Sequence, residues 1–171
     1  MSELLAKRAA SAQTRDSLFL VFRIGSERYA LEAVEIAEVL PCLQLKGIAH
    51  APAWVAGVFA HRGAMVPVID VSAMTFGQPA VARTSTRLVL VHYRPGPDAA
   101  DYRLGLILEQ ATDTLRCNPQ DFQPYGLDNR QAPYLGPVLE DAQGLVQRIR
   151  LKDLLSPEIR ALLFPDAAEA P

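Results

Sequence analysis

The residues of this chain that could do chemistry are few and scattered. His50, His61 and His92 show no i, i+4 spacing, and Cys42 and Cys117 pair with none of them in a metal-ligand pattern. No Gly-x-Ser-x-Gly, P-loop or Gly-x-Gly-x-x-Gly run occurs, so the common hydrolase and nucleotide devices are missing. Glu32, Glu35 and Glu38 lie close together, but no His or Cys stands near them in sequence to complete an acid–base pair. Cys117 has no evident base. These types and spacings predict no catalytic residue, no metal and no cofactor. What stands out is a cation: Arg62, set between two apolar, β-branched runs at residues 55–59 and 65–71. Gly63 beside it can take the positive φ that a tight hairpin turn needs. A guanidinium lifted clear of a sheet corner offers a partner a planar, multidentate donor. The chemistry is that of recognition.

The elements that must position Arg62 read as short strands. Residues 18–24 are apolar and aromatic, Gly25-Ser26 is a turn signal, and residues 27–31 return the strand. Residues 33–39 suit a short helical turn leading into a strand at 37–40, stopped by Pro41. Residues 45–48, 87–93, 102–108 and 112–117 continue the β pattern. The run 94–98 must be a loop, because proline offers the ladder no donor. Residues 118–137 read as a long irregular loop, and 137–140 with 145–149 as a last hairpin. Leu151, Leu154 and Leu155 then share a face. Ser156-Pro157 is a helix start, with Ile159, Leu162, Leu163 and Phe164 as the apolar side. Trp54 reads as packing and Asp70 as the cap of the next turn.

Many short strands separated by Gly/Pro turns predict an all-β barrel or sandwich. A break near residues 76–86 predicts two β halves of about 70 residues, each marginal alone and therefore fused through a shared core. The expected organisation is a flexible arm over 1–16, a folded domain over 17–164 with two β subdomains, and a tail over 165–171.

Composition narrows the partners. The chain has 171 residues, half of them hydrophobic, and a net charge of −2. No Lys/Arg block exceeds two residues, which argues against nucleic acid, whose phosphates need a clustered basic footprint. No stretch approaches the roughly 20 apolar residues that would span a bilayer. The N-terminus has no export signal, and two isolated cysteines favour a reduced, cytoplasmic setting over a Cys42–Cys117 bridge.

The run from Val55 to Asp70, Val-Ala-Gly-Val-Phe-Ala-His-Arg-Gly-Ala-Met-Val-Pro-Val-Ile-Asp, resembles the hallmark of the CheW family of chemosensory coupling proteins. Further likenesses fall in the family's order: residues 18–31, Val34-x-x-x-Glu38-Val39, the proline-containing lead-in Ala51-Pro52-Ala53-Trp54, Tyr102-x-Leu-Gly-Leu-Ile-Leu, Tyr134-Leu-Gly-Pro-Val and Arg150-Leu-x-x-Leu-Leu. Together they cover residues 18–155.

The resemblance implies two five-stranded SH3-like β-barrels packed over one core, with short helices mainly at the C-terminus, and no catalysis. It implies an adaptor in the cytoplasm, recruited to receptor arrays. Such an adaptor bridges the helical tip of a chemoreceptor and the regulatory domain of a CheA-type histidine kinase. Carried over by position, Arg62 and Glu38 are the polar residues of the partner-facing surface. Leu20, Ala33, Ile36 and Val39 line a groove for the apolar face of a receptor helix. Ala60 and His61 replace the usual Asn-Leu, so the corner loses an amide that could fix its backbone. Ala33 is smaller than the usual branched residue, which shallows the groove. Both departures point to a specialised partner, and the tracts Tyr29-Ala-Leu-Glu, Glu38-Val-Leu-Pro and Ser85-Thr-Arg-Leu-Val-Leu-Val resemble coupling proteins of alternative clusters, such as the Wsp-type surface-sensing systems. The rival reading is a small β-barrel ligand-binding protein or enzyme, which needs a pocket with converging titratable groups.

Overall fold

The computed structural model describes residues 16–97, 100–124 and 130–165. The expected arm, apart from Asp16, and the tail beyond Pro165 lie outside these residues. In chain order the strands are β1 (Ser17–Ile24), β2 (Glu27–Glu32), β3 (Ile36–Pro41), β4 (Val55–His61), β5 (Ala64–Asp70), β6 (Arg87–Tyr93), β7 (Tyr102–Cys117), β8 (Leu135–Asp141) and β9 (Gly144–Ile149). Helices α1 (Val71–Phe76) and α2 (Pro157–Leu163) are short, and single 3-10 turns cover Ala33–Glu35, Pro119–Asp121 and Leu151–Asp153.

The strands form two five-stranded, SH3-like barrels. The first runs β7-β1-β2-β9-β8 and the second β3-β6-β7-β5-β4. β7 belongs to both. Residues 102–108 pair with β6, and residues 109–117 pair with β1. Between them Gln110 takes φ 46°, a bend that re-aims one strand from one sheet to the other. The barrels are therefore not the sequential halves expected from the break at 76–86. The N-terminal hairpin closes against the C-terminal one through the parallel β2–β9 pair, Arg28↔Val146 to Ala30↔Arg148.

Side-chain alternation explains three cores. On β6, Leu88 and Leu90 point into the second barrel with Phe59, Val66 and Val68. Val89, Val91 and Tyr93 point the other way, into the core shared by both barrels. A strand buried on both faces must be a continuous apolar run, and Leu-Val-Leu-Val is one. Phe19, Ala30, Phe122 and Val146 fill the first barrel.

Several details depart from the sequence reading. The expected strand at 45–48 is only an isolated bridge, Lys46↔Val58, and that bridge needs Gly57. Gly57 has φ 146°, and a Cβ there would press into the Lys46 carbonyl. The two expected strands at 102–108 and 112–117 are one. Helix α1 has no expected counterpart, but its cap does: Asp70 Oδ1 accepts from Ala73 N at 3.1 Å, and Oδ2 accepts from Ala80 N at 2.9 Å. Ser156 caps α2 with Pro157 at its first position, as expected. Leu162, however, points outward with 43% of its surface exposed, while Ile159, Leu163 and Phe164 pack inward. Trp54 is half-buried against the shared core.

Candidate functional site

The β4–β5 hairpin closes on a two-residue turn, Arg62-Gly63, with φ 50° and 81°. Positive φ at both positions is the backbone whose twist matches paired strands. Gly63 adopts it freely, but Arg62 does so against the Cβ–carbonyl contact that disfavours left-handed backbone. The turn holds the Arg62 side chain 76% exposed, at 3.4 Å from Glu38 Oε1 through Nη2. Glu38 Oε2 lies 3.0 Å from His61 Nε2. The corner expected to lose its fixing amide is instead tied by the Glu38 carboxylate, which meets both His61 and Arg62. The carboxylate expected to lack a histidine has one, brought from β4 by folding.

β3 divides the remaining candidates. Ile36, Glu38 and Leu40 lie on its half-buried face, whereas Val39 is on the opposite face and 47% exposed. Leu20 and Ile36 both pack on the shared core, and the turn bearing Ala33 contacts β1. The structure brings Arg62 and Glu38 together, and Leu20, Ala33 and Ile36 to one neighbourhood. It sets Val39 apart from Glu38.

Two clusters have no counterpart in the sequence reading. Across the β6–β7 hairpin His92 faces Arg103 in register. Asp101 Oδ2 receives His92 at 3.0 Å, Arg103 at 3.1 Å and Arg94 at 3.3 Å. Burial would raise the Asp101 carboxyl, but the bonds from His92, Arg103 and Arg94 outweigh it and hold the group below the usual range. His92 Nδ1 also lies 2.8 Å from Arg103 Nη1, so that nitrogen satisfies the arginine when bare and the aspartate when protonated. The second cluster is Glu35, whose Oε2 is buried with no partner among the described residues. Desolvation pushes its carboxyl up to about 7 against the pull of Arg148, with Glu32 adding to the rise. The sequence signal for the first cluster is the period-2 spacing of charge at the ends of apolar strands, His92 with Arg94 and Asp101 with Arg103; for the second it is the three-residue spacing of Glu32, Glu35 and Glu38.

Among the described residues no group of three His, Cys, Asp or Glu could hold a metal. Cys42 and Cys117 are free thiols. No helix among them is long and apolar enough to cross a membrane.

The fold is a pair of fused β-barrels with one guanidinium, that of Arg62, held exposed on a left-handed turn. The family described as CheW-like domain matches residues 18–158, and the chain belongs to that family. It is 28% identical over 105 residues to the chemotaxis protein CheW of Rhizobium meliloti, covering 61% of this chain and 64% of that protein. It is 25% identical over 124 residues to the CheW of Klebsiella aerogenes, covering 72% and 71%. The chain thus spans a little under two thirds of the Rhizobium relative. The scaffolding protein TtCheW from Thermoanaerobacter tengcongensis has the same fold, with a TM-score of 0.69 at 18% identity over 79% of this chain and 84% of that one.

Proposed function

We propose that this chain is a non-enzymatic adaptor of bacterial chemosensory signalling, working in the cytoplasm at receptor arrays. It couples the helical tip of a chemoreceptor to the regulatory domain of a CheA-type histidine kinase. Family membership over residues 18–158 supports the class, and the observation that carries the site is Arg62, held exposed on a left-handed turn beside Glu38. A non-glycine residue in that backbone persists only where the surrounding structure fixes it, and such positions cluster at sites of contact. Arg62 and Glu38 form the polar part of the partner-facing surface. Leu20, Ala33 and Ile36 are the apolar part, taking a helix with affinity from buried area and selectivity from rim charge, while Val39 meets a partner from the opposite, exposed face of β3. Residues 17–164 act as one rigid unit, because coupling between two sites is worth only about 1–3 kcal/mol and is lost through a loose joint.

The test is parallel affinity capture from the native cytoplasm with wild type and Arg62→Ala, the retained proteins being identified by mass. Capture of a chemoreceptor and a histidine kinase, weakened by about 2 kcal/mol in the variant, is expected for a central anchor. Capture of neither by folded wild-type protein overturns the reading.

A further inference from the structure

The second barrel is open at one end, and each strand's alternation sets what stands there. Glu38, His61 and Ala64 each lie two residues beyond a member of the barrel's inner cluster on their own strand, namely Leu40, Phe59 and Val66. Arg103 stands four residues from Ile107, on the same face of β7. The open end is therefore a polar ring over an apolar floor. The hollow it surrounds measures about 370 Å³, and its lining includes the buried Val66 and Leu90 together with both Arg62 and Arg103. Barrel mouths are a preferred place for binding pockets. The small side chain of Ala64 leaves this one unfilled.

A count of donors and acceptors decides what fits. Glu38 has both oxygens engaged, by His61 and Arg62. Asp101 is met by three basic side chains. The arginines are less used. Arg62 contacts Glu38 through Nη2, and Arg103 contacts Asp101 and His92 through Nη1. Their other guanidinium nitrogens have no partner among the described residues. The ring thus has spare donors and few spare acceptors, which calls for an anion. A guanidinium fork matches a carboxylate in two-point geometry. A single carboxylate suits the site better than a dianion, because Glu38 and Asp101 hold negative charge close by.

We propose that the mouth of the second barrel is a pocket for one aspartate or glutamate side chain of a partner protein, gripped between Arg62 and Arg103. The inference rests on the adaptor reading, since it takes Arg62 to face a partner, and it adds Arg103 as the second anchor and the barrel floor as the seat for the partner's methylene stem.

The test measures binding of a purified receptor tip and a kinase regulatory domain to wild type, Arg62→Ala, Arg103→Ala, Arg103→Lys and Ala64→Leu, each checked for an unchanged melting transition. Ala64→Leu narrows the mouth and leaves every ring charge in place, so it stands in if an arginine variant misfolds. Arg103→Ala and Ala64→Leu are expected to weaken, by roughly tenfold, the same partner that Arg62→Ala weakens. Arg103→Lys recovers only part of the loss, because an ammonium cannot form the two-point grip. The double variant Arg62→Ala/Arg103→Ala is expected to depart from the product of the single losses, because two residues that hold one group are coupled. If Arg62→Ala weakens binding while Arg103→Ala and Ala64→Leu bind as wild type, the pocket is overturned and the adaptor reading stands. If acetate perturbs Arg103 in the free protein while Arg103→Ala leaves partner binding unchanged, the mouth binds small anions and the proposal is overturned. If wild type binds neither partner, both readings fall.

Discussion

Arg148 donates to Glu32 at 2.6 Å, joining strands 116 residues apart in the chain. The contact tightens the parallel β2–β9 pair at the point where β2 enters the Ala33–Glu35 turn. The guanidinium also lies 5.4 Å over the Phe19 ring. One cation therefore fixes the backbone that displays Ala33 and Ile36.

Removing it should be felt beyond its own contact. Arg148→Ala is expected to lower folding stability by about 2 kcal/mol, because it leaves a largely buried Glu32 carboxylate unpaired. Urea denaturation of the purified protein measures this loss. A cost below a few tenths of a kcal/mol means that solvent replaces the arginine without penalty.

Glu35 predicts a pH dependence of definite sign. Its carboxyl is pushed up to about 7 by desolvation, from an ordinary value of 4.5. Between those two pH values the folded protein keeps a proton that the unfolded chain has released. Stability contributed by this group therefore falls as pH rises across that window, and the penalty is complete above it. Glu35→Gln should abolish that slope, matching wild type at pH 4 and exceeding it at pH 8 by on the order of 1–2 kcal/mol after allowance for solvent screening. Thermal melts of both proteins from pH 4 to pH 8 are the check, and parallel curves sink the assignment.

Arg62 separates stability from binding. Its φ of 50° is a conformation that glycine adopts without strain. Arg62→Gly and Arg62→Ala both remove the guanidinium, so both should lose partner binding equally. The exposed 3.4 Å contact with Glu38 is worth little to folding. Arg62→Gly is therefore expected to be more stable than Arg62→Ala by about 1 kcal/mol. Equal stability of the two variants in denaturant would mean that the turn relaxes to another backbone.

Much of this architecture is legible in the sequence, for local reasons. Gly25, Gly63 and Gly144 mark hairpin turns between alternating strands, and all three turns are present. The apolar run of β6 announces burial on both faces. Asp70 and Ser156 read as caps because the oxygen that satisfies a helix N-terminus must come from such residues. What escaped reading is non-local. A 16-residue strand bent at Gln110 looks like two strands, since nothing in the sequence says that both halves are continuous yet pair with different strands. α1 is too short to show a helical period. Leu162 looked inward because its spacing fits, but the helix turns that side to solvent. The His61–Glu38 pair is 23 residues apart, and His92 meets Arg103 only through hairpin register, so neither cluster exists until the barrel closes.

The double membership of β7 also sets an order of completion during synthesis. Every strand that the second barrel needs has been synthesised once Leu108 has been made, whereas the first barrel waits for β9 and its last residue, Ile149. Until then the β1–β2 ribbon carries an open edge at β2, a row of unpaired amides and carbonyls of the kind that invites wrong pairing. The nascent chain's exposure to misassembly is thus concentrated in β1 and β2 and is relieved by β9, the last strand among the described residues.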